Sequence, residues 1–373
     1  MEELNKLRDG IDDIDSEILS LFMKRMELCK GVADYKKAHN MPVFQGGREQ
    51  QVIDRIKALT GDKSLESGTA ALFTTIMDIS KILQNRKILA DAPEYSFTAP
   101  DFANARKIGC QGTSGSNSET AARTVFGERD YIFYGSFEDV FRAVQSGGLD
   151  YGVLPVLNST SGFVESTYDL MAKYQVYVVR EVTIEINHCL AAKNDIPLSE
   201  IERVYSHPQA LAQCEAFLHA NGLEAAEYSN TATAAEKVMA DSGNIAAICS
   251  ADCAERLGMT ILARDIADCS VNKTQFIIVS KDMLVAEDAD AVSLMVVIPN
   301  TEGSLYRLLT KFYVNGMNLI RLESRPVRDG SFDVMFFLDF SGKLTDPQVQ
   351  ALMRDLEKNT DVFRCLGTYS KNS

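Results

Sequence analysis

No stretch of the 373-residue chain approaches the ~18–20 consecutive apolar residues of a membrane-crossing helix. The opening MEELNKLRDG is charged and lacks the apolar core of a secretory signal, which predicts a cytoplasmic protein. Cations are in short supply: 38 Lys and Arg stand against 52 Asp and Glu, a formal charge of -14. A surface this acidic repels phosphate backbones, so nucleic acid is not the expected partner. The four histidines, His39, His188, His207 and His219, show no metal spacing, and His207 in YSHPQAL draws the most attention among them. The eight cysteines are scattered, and although Cys249 and Cys253 are spaced like ligands, no nearby Cys or His completes a site. They read as reduced thiols. The glycines of GCQGTSGS form neither a strict dinucleotide fingerprint nor a P-loop, so no cofactor and no metal is expected.

What remains is a chain 46% hydrophobic and 24% charged, long enough for two or three cores. Residues 1–90 contain one proline and read as helix. From 107 to 282 short β-like runs alternate with Gly/Ser/Thr/Asn clusters and helical stretches, and from 292 to 371 a compact strand–helix–strand–strand–helix pattern appears. Leu89–Arg106 and MLVAEDADAV (283–292) read as linkers.

In the first helix Leu4, Leu7, Ile11, Ile14, Ile18, Leu21, Leu28 and Val32 fall at alternating spacings of three and four, a heptad-like seam that favours dimerisation. The seam demands an apolar residue at 25 and finds Arg25, while Arg8 edges the same stripe. A guanidinium on a buried seam is costly unless an anion meets it. The bland alternative is an arginine that snorkels or pairs with a structural glutamate. Lys36, Arg48, Glu49, Ser80 and Gln84 also sit on helix faces beside apolar positions. So many polar groups there imply a multiply charged ligand.

The segments LRDGIDDIDSEILSLFMKRMEL, VADYKK, PVF, RE and IMDISKILQ closely resemble the all-helical chorismate mutases across residues 1–90. The resemblance implies an intertwined dimer in which Arg25 binds a carboxylate of chorismate and Arg8 reaches in from the partner subunit. Lys36 and Gln84 would hold the ether oxygen of the breaking bond, Arg48 a carboxylate or its supporting network, and Glu49 the ring hydroxyl, with Ser80 lining the pocket. Many members carry an acid where Gln45 stands. The chemistry fits: a Claisen rearrangement needs no acid, base or nucleophile, only a dianion held in a chair and fixed donors where charge develops.

The middle region repeats one junction five times: an apolar run, small polar residues, then a helix. Ser116 with Glu119 fits a capping box, and Ser206, Thr231 or Thr233, and Ser250 fit N-caps. Helix starts at the carboxyl ends of strands make a cleft for a small carboxylate; taken singly, each is an ordinary cap. These segments resemble the prephenate dehydratases through NST-x-G, TYDLM, I-x-H-x-L, SHPQALAQC and N-x-T-x-F. The implied fold is a two-lobed, periplasmic-binding-protein-like α/β domain with its site between the lobes. Thr274 would be the hydroxyl nearest the chemistry, with Thr113, Asn158, Ser159, Thr160, Ser206 and Gln209 holding prephenate. Three departures stand out: Gln275 replaces the arginine of Thr-Arg-Phe, Leu157 replaces a glutamate, and residues 109–116 depart from Gly-Pro-x-Gly-Thr-Phe-Ser.

The last region resembles a phenylalanine-binding ACT domain, an α+β ferredoxin-like fold, through Gly303-Ser304-Leu305 and Glu323-Ser324-Arg325-Pro326. It implies L-phenylalanine as effector at a domain dimer interface; the plain alternative is a dimerisation module without effector. Two readings follow. One is a bifunctional enzyme that turns chorismate into prephenate and then phenylpyruvate under phenylalanine feedback. The other is a working mutase fused to an α/β domain that binds, regulates or only decarboxylates, and Gln275 and Leu157 argue for it.

Overall fold

The computed structural model describes residues 1–89, 97–269, 271–327 and 333–371. It divides into two compact units, Met1–Ser96 with Leu294–Cys365, and Phe97–Ser293 with Leu366–Ser373.

The first unit begins with helices α1 (Glu2–Ala38), α2 (Gly46–Leu59) and α3 (Glu66–Leu89). Glu2 and Glu3 in the first turn of α1 and Lys36 and Lys37 in its last complement the helix dipole. At ~1.5 Å per residue α1 is roughly 55 Å long against about 36 Å for α3, so it overhangs its partner. The Leu4–Val32 seam is exposed within the chain along its whole length, Ile14 at 58% and Leu21 at 64%. The stripe packed on α3 is a different one, Met26, Ala33 and Lys36 with Cys29 half-buried. Arg25 stands where the two stripes meet, half-buried.

The second unit starts earlier than the composition suggests. Residues 97–106, expected to be linker, are packed: Thr98 bridges Leu284, and Phe102 lies against Phe126 and Tyr151. Residues 90–96 of that stretch lie outside the described residues. The first lobe runs β1 (Ile108–Gln111), α4 (Asn117–Phe126), β2 (Ile132–Tyr134), α5 (Phe137–Gln145), β3 (Tyr151–Asn158), β4 (Gly162–Phe163), α6 (Glu165–Lys173) and β5 (Tyr177–Glu185). The second runs β6 (Cys189–Ala192), β7 (Arg203–Ser206), α7 (Pro208–Ala212), α8 (Glu215–Ala220), β8 (Ala225–Glu227), α9 (Thr231–Ala240), β9 (Ile245–Cys249), α10 (Ala251–Arg256) and β10 (Thr260–Ala263). Strand β11 (Lys273–Ser280) then returns to the first lobe between β3 and β5. Its sheet is ordered β5-β11-β3-β1-β2, and the second lobe's β10-β6-β9-β7-β8. The two crossings between lobes follow β5 and precede β11, and they bond to each other through Ile186 N–H and Asn272 C=O at 2.8 Å.

Alternation along β11 turns Thr274 and Phe276 to one face and Gln275 to the other. The second lobe's core is built largely of small residues, Ala191, Ala232, Ala235, Ala247 and Cys249. Several expected caps are corrected. Asn230, not Thr231 or Thr233, caps α9 by accepting Thr233 N–H at 2.7 Å. His207, not Ser206, caps α7, because Ser206 Oγ donates instead to Ile248 C=O at 2.6 Å. The Ser116–Glu119 box does not form: Ser116 Oγ makes no cap bond, and Glu119 accepts Gly115 N–H at 2.6 Å. Ser250 caps α10 as expected.

The last module is β12 (Ala291–Ile298), α11 (Ser304–Val314), β13 (Leu319–Pro326), β14 (Val334–Ser341), α12 (Pro347–Asn359) and β15 (Val362–Tyr369), a β-α-β-β-α-β fold whose sheet runs β13-β14-β12-β15. The stretch 283–292 is not a free linker, since Ala289 and Ala291 are buried and β12 begins at Ala291. In β13 the charged residues face inward, Arg321 pairing with the buried Asp339 at 2.7 Å, while Ile320 and Leu322 face out. Within the first unit α3 packs on α11 and α12. There Asn85 Nδ2 donates to Asp355 Oδ1 at 2.7 Å, Lys311 pairs with Asp355, and Arg86 donates to Asn315 Oδ1 at 2.9 Å.

Candidate active sites

Six of the seven residues expected at the first site, Arg25, Lys36, Arg48, Glu49, Ser80 and Gln84, line one cavity of ≈ 110 Å³ among α1, α2 and α3. Arg8 does not; it is exposed on the overhang of α1. Arg25 donates to Ser80 Oγ and to Ile76 C=O at 3.5 Å, so its fork is tethered to α3 and meets no carboxylate among the described residues. Lys36, 8% exposed, donates to Val43 C=O at 2.7 Å. Burial, the largest influence, pushes its ammonium below the usual lysine range, with Glu49 opposing. Gln84 is buried and its Oε1 has no partner. An unpaired buried amide is costly unless a ligand meets it, and either of its ends can be turned inward.

Lys81 also lines the cavity, a residue that no sequence signal singles out. It lies 3.0 Å from Glu49 Oε2 and 2.8 Å from Asp78 Oδ1. Burial is the largest single influence and lowers its pKa, yet Asp78 and Glu49 together outweigh it and hold it raised. The cavity therefore sets Arg25, Lys36, Arg48 and Lys81 against Glu49, a balance suited to a dianion.

The second cavity, ≈ 360 Å³, lies between the lobes of the α/β unit and takes in Asn158, Gln209 and Thr274 from the expected set. Asn158 is its hub. Its Nδ2 donates to Asn272 Oδ1 and Thr274 Oγ1, both at 2.8 Å. Its Oδ1 accepts from Thr160 Oγ1 at 2.6 Å and from Ser161 N–H at 3.0 Å. With its oxygen accepting from Asn158, the Thr274 hydroxyl keeps its own proton for the cavity. The lobes are latched by Gln209 Nε2 to Ser161 Oγ at 2.8 Å and Gln213 Nε2 to Thr160 Oγ1 at 2.7 Å. Of the remaining expected residues, Thr160 braces the hub, Ser159 Oγ accepts Lys273 N–H at 2.9 Å, and Ser206 is turned away into β9. Thr113 does not line the cavity, but its buried Oγ1 has no partner, and neither has Ser116 Oγ, which does line it at the start of α4.

Gln111, Ser116, Ser161, His188, Gln213, Asn230 and Asn272 are lining residues beyond the expected set. His188 and Asn272 lie inside the I-x-H-x-L and N-x-T-x-F motifs, but nothing in the sequence marks them as hinge residues. His188 Nε2 meets Gln213 Oε1 at 2.9 Å, and burial holds the ring below the usual histidine range.

The departures Leu157 and Gln275 face each other across β3 and β11. Neither lines the cavity. Opposite charges at two such facing positions would meet each other across the strands rather than the cavity.

Comparison with known proteins matches the segments that carry the two cavities. Residues 7–85 match the family chorismate mutase type II and residues 108–284 match prephenate dehydratase. The bifunctional chorismate mutase/prephenate dehydratase of Aquifex aeolicus is 31% identical over 100% of this chain and 99% of its own length. That of Escherichia coli K12 is 30% identical over 97% and 95%. A solved prephenate dehydratase of Arthrobacter aurescens, in complex with L-Phe, superposes with a TM-score of 0.67 at 29% identity, covering 71% of this chain and 90% of that one. With full-length relatives at this identity and both domain families matched at their own cavities, the chain belongs to the bifunctional chorismate mutase/prephenate dehydratases.

Proposed function

We propose that the helical cavity rearranges chorismate and the interlobe cavity converts the resulting prephenate to phenylpyruvate, through the residues placed above. In the first, Arg25 and Arg48 hold the two carboxylates, Lys36 and a turned Gln84 donate to the ether oxygen, Glu49 takes the ring hydroxyl, and Ser80 fixes Arg25. Lys81 neutralises and positions Glu49. Because the donors are fixed before charge develops, they favour the transition state over the extended ground state. Arg8 completes the site from a second subunit, whose α1 covers the exposed seam; the homodimer is the minimal assembly. The observation that carries this reading is the gathering of Arg25, Lys36, Arg48, Glu49, Ser80 and Gln84 around one cation-rich cavity.

In the second, the N-termini of α4 and α9 and the hydroxyls of Ser116 and Thr274 take the carboxylates and leaving hydroxyl of prephenate. Asn158, Ser159, Thr160 and Gln209 hold the lobes closed around it. The division into a mutase domain (1–90), a dehydratase domain (107–282) and an ACT domain (292–371) fits the β-α-β-β-α-β module. L-Phenylalanine would bind there through Gly303, Ser304 and Leu305 at the first turn of α11 and Glu323, Ser324 and Arg325 on β13, as feedback effector. A solved relative with L-Phe bound supports this. No described helix is long and apolar enough to cross a membrane. An ultraviolet assay tests the whole: chorismate disappears, phenylpyruvate forms from added prephenate, and phenylalanine slows the second step. Prephenate that accumulates without phenylpyruvate would favour the mutase fused to a silent α/β domain.

A further inference from the structure

Forming phenylpyruvate breaks the bond between ring carbon and carboxylate, whose electron pair enters the ring as CO2 leaves. The bond from ring carbon to hydroxyl breaks with its pair on oxygen, and the departing hydroxide takes one proton to become water. The reaction consumes a proton, so a donor must face the hydroxyl as it leaves. Beyond hydroxyls and amides, the described residues of the lining offer the ring N–H groups of His188 and His207. His188 is buried, with its Nε2 committed to Gln213.

His207 is placed differently. Its Nδ1 accepts Gln209 N–H at 3.2 Å, which leaves the ring N–H at Nε2. Nε2 has no partner among the described residues, and the half-buried residue touches both cavity and solvent. Its position is set from both sides. Ser206 before it is anchored to β9, and Pro208 after it holds His207 extended at φ -61 and ψ 141. Resting on the reading of this cavity as the dehydratase site, we propose that His207 is a catalytic residue whose Nε2–H hydrogen-bonds to the departing hydroxyl, the proton that turns it into water coming from the solvent that the ring touches.

The competing role is a helix cap and nothing more, and side-chain shape separates the two. In H207N the amide oxygen still caps α7 but nothing reaches as far as Nε2. In H207Q the amide nitrogen reaches the Nε2 position while the cap weakens. Phenylpyruvate formation from prephenate is measured on the full-length protein, beside a melting curve. H207N is expected to melt with the wild type and lose ~10²–10³ in kcat, the scale of a removed preorganised donor. H207Q is expected to keep more kcat than H207N. H207D, a second cap without the donor, repeats the test and must fall as H207N does. Near-normal kcat in H207N, or H207Q no better than H207N, overturns the assignment. A wild-type protein that makes no phenylpyruvate strikes instead at the site reading on which it rests.

Discussion

The helical cavity sets four cations against one carboxylate, whereas among the described residues no Lys, Arg, Asp or Glu lines the interlobe cavity. Both are assigned doubly charged substrates that are isomers of each other. The contrast follows from what each reaction lacks. The rearrangement gains nothing from its product's ring and must have its barrier lowered by fixed charge at the ether oxygen. Loss of CO2 and water is driven by aromatisation, so helix starts, hydroxyls and amides can hold the substrate without a charged lining. One chain thus carries two ways of meeting a dianion, and each can be disabled without touching the other.

The largest expected effect is on the ionic side. Arg25→Ala should cost the mutase at least ~10³-fold in kcat/KM while the dehydratase rate from added prephenate stays unchanged; a loss below tenfold means the cavity is not the site. Next comes the neutral side: Thr274→Val removes the proton aimed into the cavity and should lower phenylpyruvate formation by ~10²-fold, with chorismate consumption unaffected. A pH titration separates the two designs on a single sample. Lys36 acts as an ammonium, and burial holds its pKa below the usual lysine range. Mutase kcat/KM should therefore fall as pH rises, before ordinary lysines titrate at about 10.4, while the dehydratase shows no such limb. Parallel profiles would remove the distinction. The smallest effect concerns the cross-strand pair. Leu157→Glu or Gln275→Arg alone should lower the melting temperature, and the double substitution should recover about 1–2 kcal/mol of coupling. Additive single effects would show that the two positions do not act as a unit.

The mutase site is legible in the sequence because a guanidinium interrupts an apolar repeat: Arg25 sits where only a bound anion would repay its burial. Lys81 is not legible, since its meaning comes from Glu49 on another helix, and a lysine on an amphipathic helix is ordinary. The lobed α/β fold follows from strand, cluster and helix in repetition. Which polar residue faces the cleft does not. Ser206 looks like a cap in one dimension, yet in three its hydroxyl is taken by Ile248 and the histidine after it caps instead. Asn158 as hub depends on β3 lying beside β11, a pairing between segments more than a hundred residues apart. The seam of α1 stays exposed within the chain because the neighbouring stripe of Met26 and Ala33 is the one that takes α3.

Gln84 and Asn85 are consecutive on α3. One faces the rearrangement cavity, and the other is held by the carboxylate of Asp355, itself neutralised by Lys311. Severing the chain after Leu89 would leave the Asn85 amide and the Arg86 guanidinium without these acceptors, on the very helix that presents Gln84 to the cavity. An excised N-terminal fragment would thus expose a polar face built to be met, and engineers who wish to borrow it should carry the last eighty residues along or repaint that side of α3.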